Sequence, residues 1–261
     1  MKPSAKVFGL ALMAVLALSA VAASTASAAE ETKPGLFTFG GLSKDTETAK
    51  IDVEQTAEGK DKFTFKNGLA LTCKKVRATG EPIKTKASPE EDVANGSTPG
   101  TESTDVTLKP TYEGCKTTIA GLTRPVTVTV NECAFIFDAK TTTTVDNSID
   151  HTALTTIECP TGKKIEIHIY EKEPHSTVVC TYDIGPQNTL SGITLDNKVN
   201  TPTSANDVLA TINVPNIVVE NTTPGTSVCT ATNPTTATYT GEETIRATNE
   251  KGEFVDASVS D

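Results

Sequence analysis

Apolar and polar residues alternate with a period of two along much of the chain. Val126-Thr127-Val128-Thr129-Val130 is the clearest run, and Ile165-Glu166-Ile167-His168-Ile169-Tyr170 repeats the pattern. Val178 to Ile184, Val208 to Val214 and Ile217 to Val219 are further β-branched runs. Such alternation predicts strands with one buried face. Beyond the N-terminal segment, no stretch of ten residues carries helical periodicity. Turn residues punctuate the chain at Asn67-Gly68, Gly80-Glu81-Pro82, Gly121, Pro160-Thr161-Gly162, Gly185-Pro186, Pro224-Gly225 and Lys251-Gly252. Short strands with frequent turns predict an all-β protein, an antiparallel β-sandwich.

One hairpin is specified to the residue. Phe63 and Phe65 precede Asn67-Gly68, and Leu69 and Leu71 follow. A two-residue loop would put the leucines on the face opposite the phenylalanines. A three-residue loop, Lys66-Asn67-Gly68, pairs Phe65 with Leu69 and Phe63 with Leu71 and keeps one apolar face continuous. That register is the one expected, with Gly68 in the left-handed position of a bulge.

A faint repeat relates two parts of the chain. Val106-Thr107-Leu108, Val126 to Val130 and Phe135-Ile136-Phe137 resemble Ile193-Thr194-Leu195, Ala210 to Val214 and Ile217-Val218-Val219. A duplication would give two similar β lobes, 29–150 and 151–261. Residues 86–103 hold two prolines, two glycines and four carboxylates with almost no apolar side chain, which predicts a mobile surface loop inserted in the first lobe.

The first 28 residues have the form of a secretory signal. Lys2 and Lys6 precede an apolar run from Val7 to Val21, and Ala26-Ser27-Ala28 supplies the small residues of a cleavage site. The apolar run is shorter than the ~20 residues of a membrane span. No cysteine lies near the cleavage site for a lipid anchor, and the C-terminus carries no apolar tail. Without the signal, 21 Lys and Arg face 33 Asp and Glu, a net charge of −12. That balance opposes binding to nucleic acid or anionic lipid. Missing aromatic girdles and lysine-bearing strands argue against an outer-membrane barrel.

Export makes disulfides the natural state of the six cysteines, Cys73, Cys115, Cys133, Cys159, Cys180 and Cys229. None are close enough for a C-x-x-C motif or a zinc-ligand pair. Local turns suggest bridges Cys115–Cys133 and Cys159–Cys180, which leaves Cys73–Cys229. If the repeat is real, Cys73 pairs instead with Cys180 or another strand neighbour.

Tyr112-Glu113-Gly114-Cys115, then Val128-Thr129-Val130-Asn131-Glu132-Cys133-Ala134-Phe135-Ile136-Phe137, then Ile157-Glu158-Cys159-Pro160-Thr161-Gly162-Lys163-Lys164-Ile165 form a spaced pattern. Over roughly residues 60 to 230 it resembles a group of uncharacterised secreted proteins of high-GC Gram-positive bacteria. The resemblance implies an extracellular setting and brings no catalytic residue with it.

The chain holds no G-x-S-x-G elbow, no H-E-x-x-H and no phosphate-binding glycine loop. No motif implies a cofactor. The best polar constellation is Glu166, His168 and Tyr170, which share one strand face opposite Ile165, Ile167 and Ile169. A carboxylate beside an imidazole is a candidate binding or acid/base site, or else a solvated face. His175 is placed to approach His168 across a hairpin as a metal ligand. Asp146, Asn147 and Asp150 offer oxygen ligands for calcium without the EF-hand glycine and glutamate. There is no tryptophan and there are only four tyrosines, which disfavours a glycan-stacking platform.

These observations lead to a secreted, non-enzymatic β protein with a structural or interaction role at or near the cell surface, its partner a surface polymer or protein. The alternatives are a binding module for a glycan or small ligand, marked by an exposed tyrosine row or a concave apolar pocket, and an unrecognised hydrolase built around His168 or His151.

Overall fold

Inward and outward positions follow the alternation closely over Ile165–Tyr170 and on several other strands, though not along Leu122–Thr129 or the first half of Gln187–Lys198. Ile165, Ile167 and Ile169 are buried, while Glu166, His168 and Tyr170 are half-exposed. The computed structural model describes residues 31–40, 42, 49–82, 85–87, 100–143, 149–174, 177–198, 205–222, 229 and 233–260. Among them there are twenty strands and no α-helix. In chain order these are β1 (Glu31–Pro34), β2 (Leu36–Gly40), β3 (Lys50–Gln55), β4 (Lys62–Phe65), β5 (Ala70–Thr72), β6 (Lys75–Pro82), β7 (Thr85–Ala87), β8 (Gly100–Ser103), β9 (Asp105–Glu113) and β10 (Cys115–Ile119). They continue with β11 (Leu122–Thr129), β12 (Ala134–Thr143), β13 (Ile149–Glu158), β14 (Ile165–Tyr170), β15 (Val178–Ile184), β16 (Gln187–Lys198), β17 (Asp207–Asn221), β18 (Thr235–Thr248), β19 (Phe254–Val255) and β20 (Ala257–Ser260). The protein is all-β and antiparallel. The segment read as a signal peptide lies outside the described residues.

Sixteen strands form one sheet and four, β20-β2-β8-β7, form another. The large sheet closes on itself twice. One hydrogen-bonded circuit runs β12-β13-β16-β17-β18-β3-β6-β9 and returns to β12. The other runs β17-β15-β14-β11-β10-β5-β4-β18 and returns to β17. Both share the long β17–β18 ribbon. Its lower part, from Val208↔Ile245 to Ile212↔Gly241, is flanked by β16 and β3 of the first circuit, and from Thr240 back to Ala237 β18 is flanked by β4 of the second. Just past this change of neighbours the ribbon carries a bulge at Pro215 and Asn216, where Asn216 takes a φ of 60°. Closure removes the exposed edges that an open sheet leaves.

This pairing corrects the expected division into lobes 29–150 and 151–261. Residue 150 lies inside β13, and each circuit joins a run of four strands from the first half to a run of four from the second, so neither half closes on its own. The matching apolar triplets are inward positions of one shared interior, so period-two alternation alone accounts for their likeness. The loop expected over 86–103 is corrected at its ends, where β7 and β8 pair with Thr85 opposite Ser103; residues 88–99 lie outside the described residues.

The Phe63–Leu71 hairpin has the expected register. Phe63 faces Leu71, the Phe65 amide donates to the Leu69 carbonyl at 2.8 Å, and Gly68 has a φ of 85°.

All six cysteines are bridged, but none of the expected pairs forms. The bridges are Cys73–Cys115, Cys133–Cys159 and Cys180–Cys229. Strand register explains the first two. Lys116 lies opposite Thr72 on β10 and β5, so Cys115 and Cys73 are the next facing positions. Ala134 lies opposite Glu158, so Cys133 and Cys159 close the open end of the β12–β13 hairpin. The expected partners are kept apart by the same rule. The β10–β11 hairpin puts Cys115 opposite Val126, well short of Cys133, and β14–β15 puts Cys180 opposite Ile169, well beyond Cys159.

Candidate functional site

The polar trio on β14 is assembled as the alternation predicts. His168 Nε2 lies 3.9 Å from Glu166 Oε2, and the His168 and Tyr170 rings meet edge-on with centroids 6.4 Å apart. The Tyr170 hydroxyl is 3.3 Å from Thr127 Oγ1 on the neighbouring β11. The Glu166 and His168 side chains keep 43% and 31% of their surface in water, so the pair is a loose, solvated contact. His151 is elsewhere, on β13, with Nδ1 3.3 Å from Thr141 Oγ1. His175, Asp146 and Asn147 lie outside the described residues, and Asp150 is exposed on β13. Among the described residues no cluster of three metal-ligating side chains occurs.

A second polar group sits inside the protein, at the seam of the two circuits. Along β18 the odd-numbered positions face inward: Ala237, Tyr239, Gly241, Glu243, Ile245 and Ala247. Up to Thr240 the strand pairs with β4, and from Glu243 onward with β3. Asp61, directly before β4, continues the inward face of Phe63 and Phe65 and comes to rest against Gly241. A Cβ at position 241 would occupy the space of the Asp61 carboxylate. The glycine there makes room for a buried acid.

Asp61 is 2% exposed and Glu243 is 6% exposed. Glu243 Oε1 accepts a hydrogen bond from the Tyr239 hydroxyl at 3.2 Å. Neither carboxylate oxygen of Asp61 makes a hydrogen bond of full geometry among the described residues, and the Tyr239 hydroxyl and Glu242 backbone lie near it. Burial is the main force on these acids, because a low-dielectric surrounding disfavours the charged form. It pushes the Asp61 carboxyl up to about 6, against partial relief from the nearby Tyr239 hydroxyl and Glu242 backbone. Burial, and then the charge of Asp61, pushes Glu243 up to about 8, against the Tyr239 hydrogen bond. Burial and the same two carboxylates raise the Tyr112 and Tyr239 phenols. The charges acting on these groups are those of the other members.

The cluster borders an apolar cavity of about 90 Å³ that extends through both circuits. Leu108 and Ile193 line it from the first circuit, and Phe63 and Ile167 from the second. Thr155, 3% exposed, also faces it, and its Oγ1 has no partner among the described residues. An apolar chamber with a few convergent polar groups is the usual form of a small-molecule site.

Sequence reasoning singled out the exposed trio and missed Asp61, Tyr239, Glu243 and Tyr112. The signal was present in part. Asp61 stands two residues before Phe63 on the face that the hairpin buries, and a carboxylate at an inward position is the anomaly to look for. Glu243 is harder to see, because its inward direction depends on the whole of β18.

No family model matches the chain, and no match was found among curated proteins or solved structures.

Proposed function

We propose that the protein is a secreted binding protein that takes up a small, largely apolar molecule in its interior cavity. The observation that carries this is the chamber of about 90 Å³ bordered by the buried Asp61 carboxylate, which makes no hydrogen bond of full geometry among the described residues. An exported, disulfide-bonded β protein suits such a role, since three bridges hold the walls in an oxidising medium. A structural or interaction role at the cell surface is the second reading, favoured by the edge-free circuits and the bridges. The cavity favours uptake over it, because a purely structural interior would be expected to fill its space and to pair its buried polar atoms.

Xenon titration monitored by NMR tests this reading, since dry apolar cavities bind xenon. The protein is expected to show saturable binding that disappears in Val128→Phe, which fills one wall. Equal, non-saturable shifts in both proteins would refute uptake.

A further inference from the structure

We propose that the molecule held in this cavity is a compact organic ammonium ion, its N–H groups donating to Asp61 and Glu243 and its hydrocarbon part lying on the apolar walls. The inference rests on the binding role proposed above and names the ligand class. Three observations support it, and the first is Asp61 itself. It is 2% exposed, it lines the cavity, and neither of its oxygens makes a hydrogen bond of full geometry among the described residues, the Tyr239 hydroxyl and Glu242 backbone only lying near. An ionised carboxylate only accepts hydrogen bonds, so its complement is a donor, and a charged donor is the stronger one.

The second observation is the company Asp61 keeps. Glu243 is the neighbouring acid, and the charge of Asp61 makes its ionisation costlier. A cation between them removes that repulsion. An anionic ligand meets the Asp61 carboxylate, which is mostly ionised near neutral pH, and is turned away.

The third is the wall. Leu108, Ile193, Phe63 and Ile167 offer no oxygen, and beyond the two acids the oxygen-bearing side chains in the lining are the neutral hydroxyls of Thr155, Tyr112 and Tyr239, whereas calcium is held mainly by carboxylates, carbonyls and water. The walls suit hydrocarbon. Size limits it further: the cavity is smaller than the ~150 Å³ that accepts benzene, so the hydrocarbon part has about four carbons or fewer. Tyr112 and Tyr239 add hydroxyl and aromatic surface beside the acids, and a ring face also attracts a cation.

Calorimetric titration near neutral pH, with the series from methylammonium to n-butylammonium against the matching alcohols, tests the assignment. At least one ammonium ion is expected to bind about tenfold or more tighter than its alcohol. Asp61→Asn is expected to weaken the ammonium about tenfold to a hundredfold while leaving the alcohol nearly unchanged. Glu243→Gln, a second conservative variant, should do the same to a smaller extent. Equal affinities for ammonium and alcohol, or no response to either variant, overturns the ammonium assignment. If xenon enters the cavity and no ammonium binds, the ligand class is wrong and the uptake reading stands. If xenon does not enter, the uptake reading fails and this assignment fails with it. A cavity holding only ordered water gives no heat with any of the series and also overturns the proposal.

Discussion

Two polar groups in this molecule are built from similar parts and live in opposite surroundings. Glu166, His168 and Tyr170 stand on the outward face of β14; Tyr239 and Glu243 stand on the inward face of β18, with Asp61 brought beside them. The outer group has water at every member, so its 3.9 Å contact between Glu166 and His168 is screened and worth little. The inner group has two acids within a low-dielectric chamber, and their protonation is set chiefly by burial and, for Glu243, also by the charge of Asp61. Residue chemistry is therefore a poor guide to function until the facing direction is known. A strand reverses that direction at every residue, and the consequence for a carboxylate is a change from indifferent surface to a costly interior position.

The largest break in this comparison acts on the frame common to both groups. The Cys73–Cys115 bridge closes a separation of 42 residues, and its removal in Cys73→Ala/Cys115→Ala is expected to cost about 4 kcal/mol in the entropy model. Urea unfolding under oxidising conditions checks the value, and an unchanged midpoint would contradict it.

Next comes Gly241→Ala, which drives a methyl group against the Asp61 carboxylate. Overpacking of this kind costs about 1–3 kcal/mol. In the same unfolding assay, restoring space with Asp61→Gly in the Gly241→Ala background should recover part of the loss. Simple additivity of the two changes would mean that the residues do not share the space.

The pH response separates the two groups most directly. Asp61 and Glu243 have ordinary values of 3.8 and 4.5 and are raised to about 6 and about 8 in the folded protein. The folded state therefore binds these protons more tightly than the unfolded state. Their contribution to stability is fully present below the ordinary carboxyl values and is lost as pH rises through 6 and then 8. Melting temperatures are expected to fall by several degrees over that window, and Asp61→Asn/Glu243→Gln should flatten the profile. A double variant with the native slope would show that other groups set the response.

The smallest effect belongs to the outer group. Glu166→Ala and His168→Ala should each change stability by no more than ~0.5 kcal/mol and leave xenon uptake as it is. A larger loss from either would erase the contrast between surface and interior.

Local pattern was a good guide wherever a strand's partner is its neighbour in sequence. The isoleucines of β14, the bounds of β15 and the Phe63–Leu71 register were all legible from alternation and one Asn-Gly turn. The pattern stopped short where partners are far apart. Cys133 faces Cys159 because β12 and β13 extend their pairing to both ends, and neither end carries a signal of its own. The seam at Asp61 needs three strands in place, β3, β4 and β18, and only their joint register turns Gly241 into the pocket for a carboxylate. Closure of the circuits lies further out of reach, since every strand in them has the same period.

The shared ribbon also bears on the order in which the chain acquires its structure. β17 and β18 complete both circuits, yet they follow nearly all the strands they join, so Thr244 must find Glu54 and Tyr239 must find Phe63 across most of the sequence. Contacts of such high order make folding slow. A chain emerging N-terminus first leaves β3, β4, β15 and β16 with open edges until the ribbon arrives, and open edges invite pairing between copies. Cys73–Cys115 and Cys133–Cys159 lie wholly upstream of the ribbon. Both can be oxidised while the barrel halves are still open, holding two hairpin-scale units in register against that late closing step.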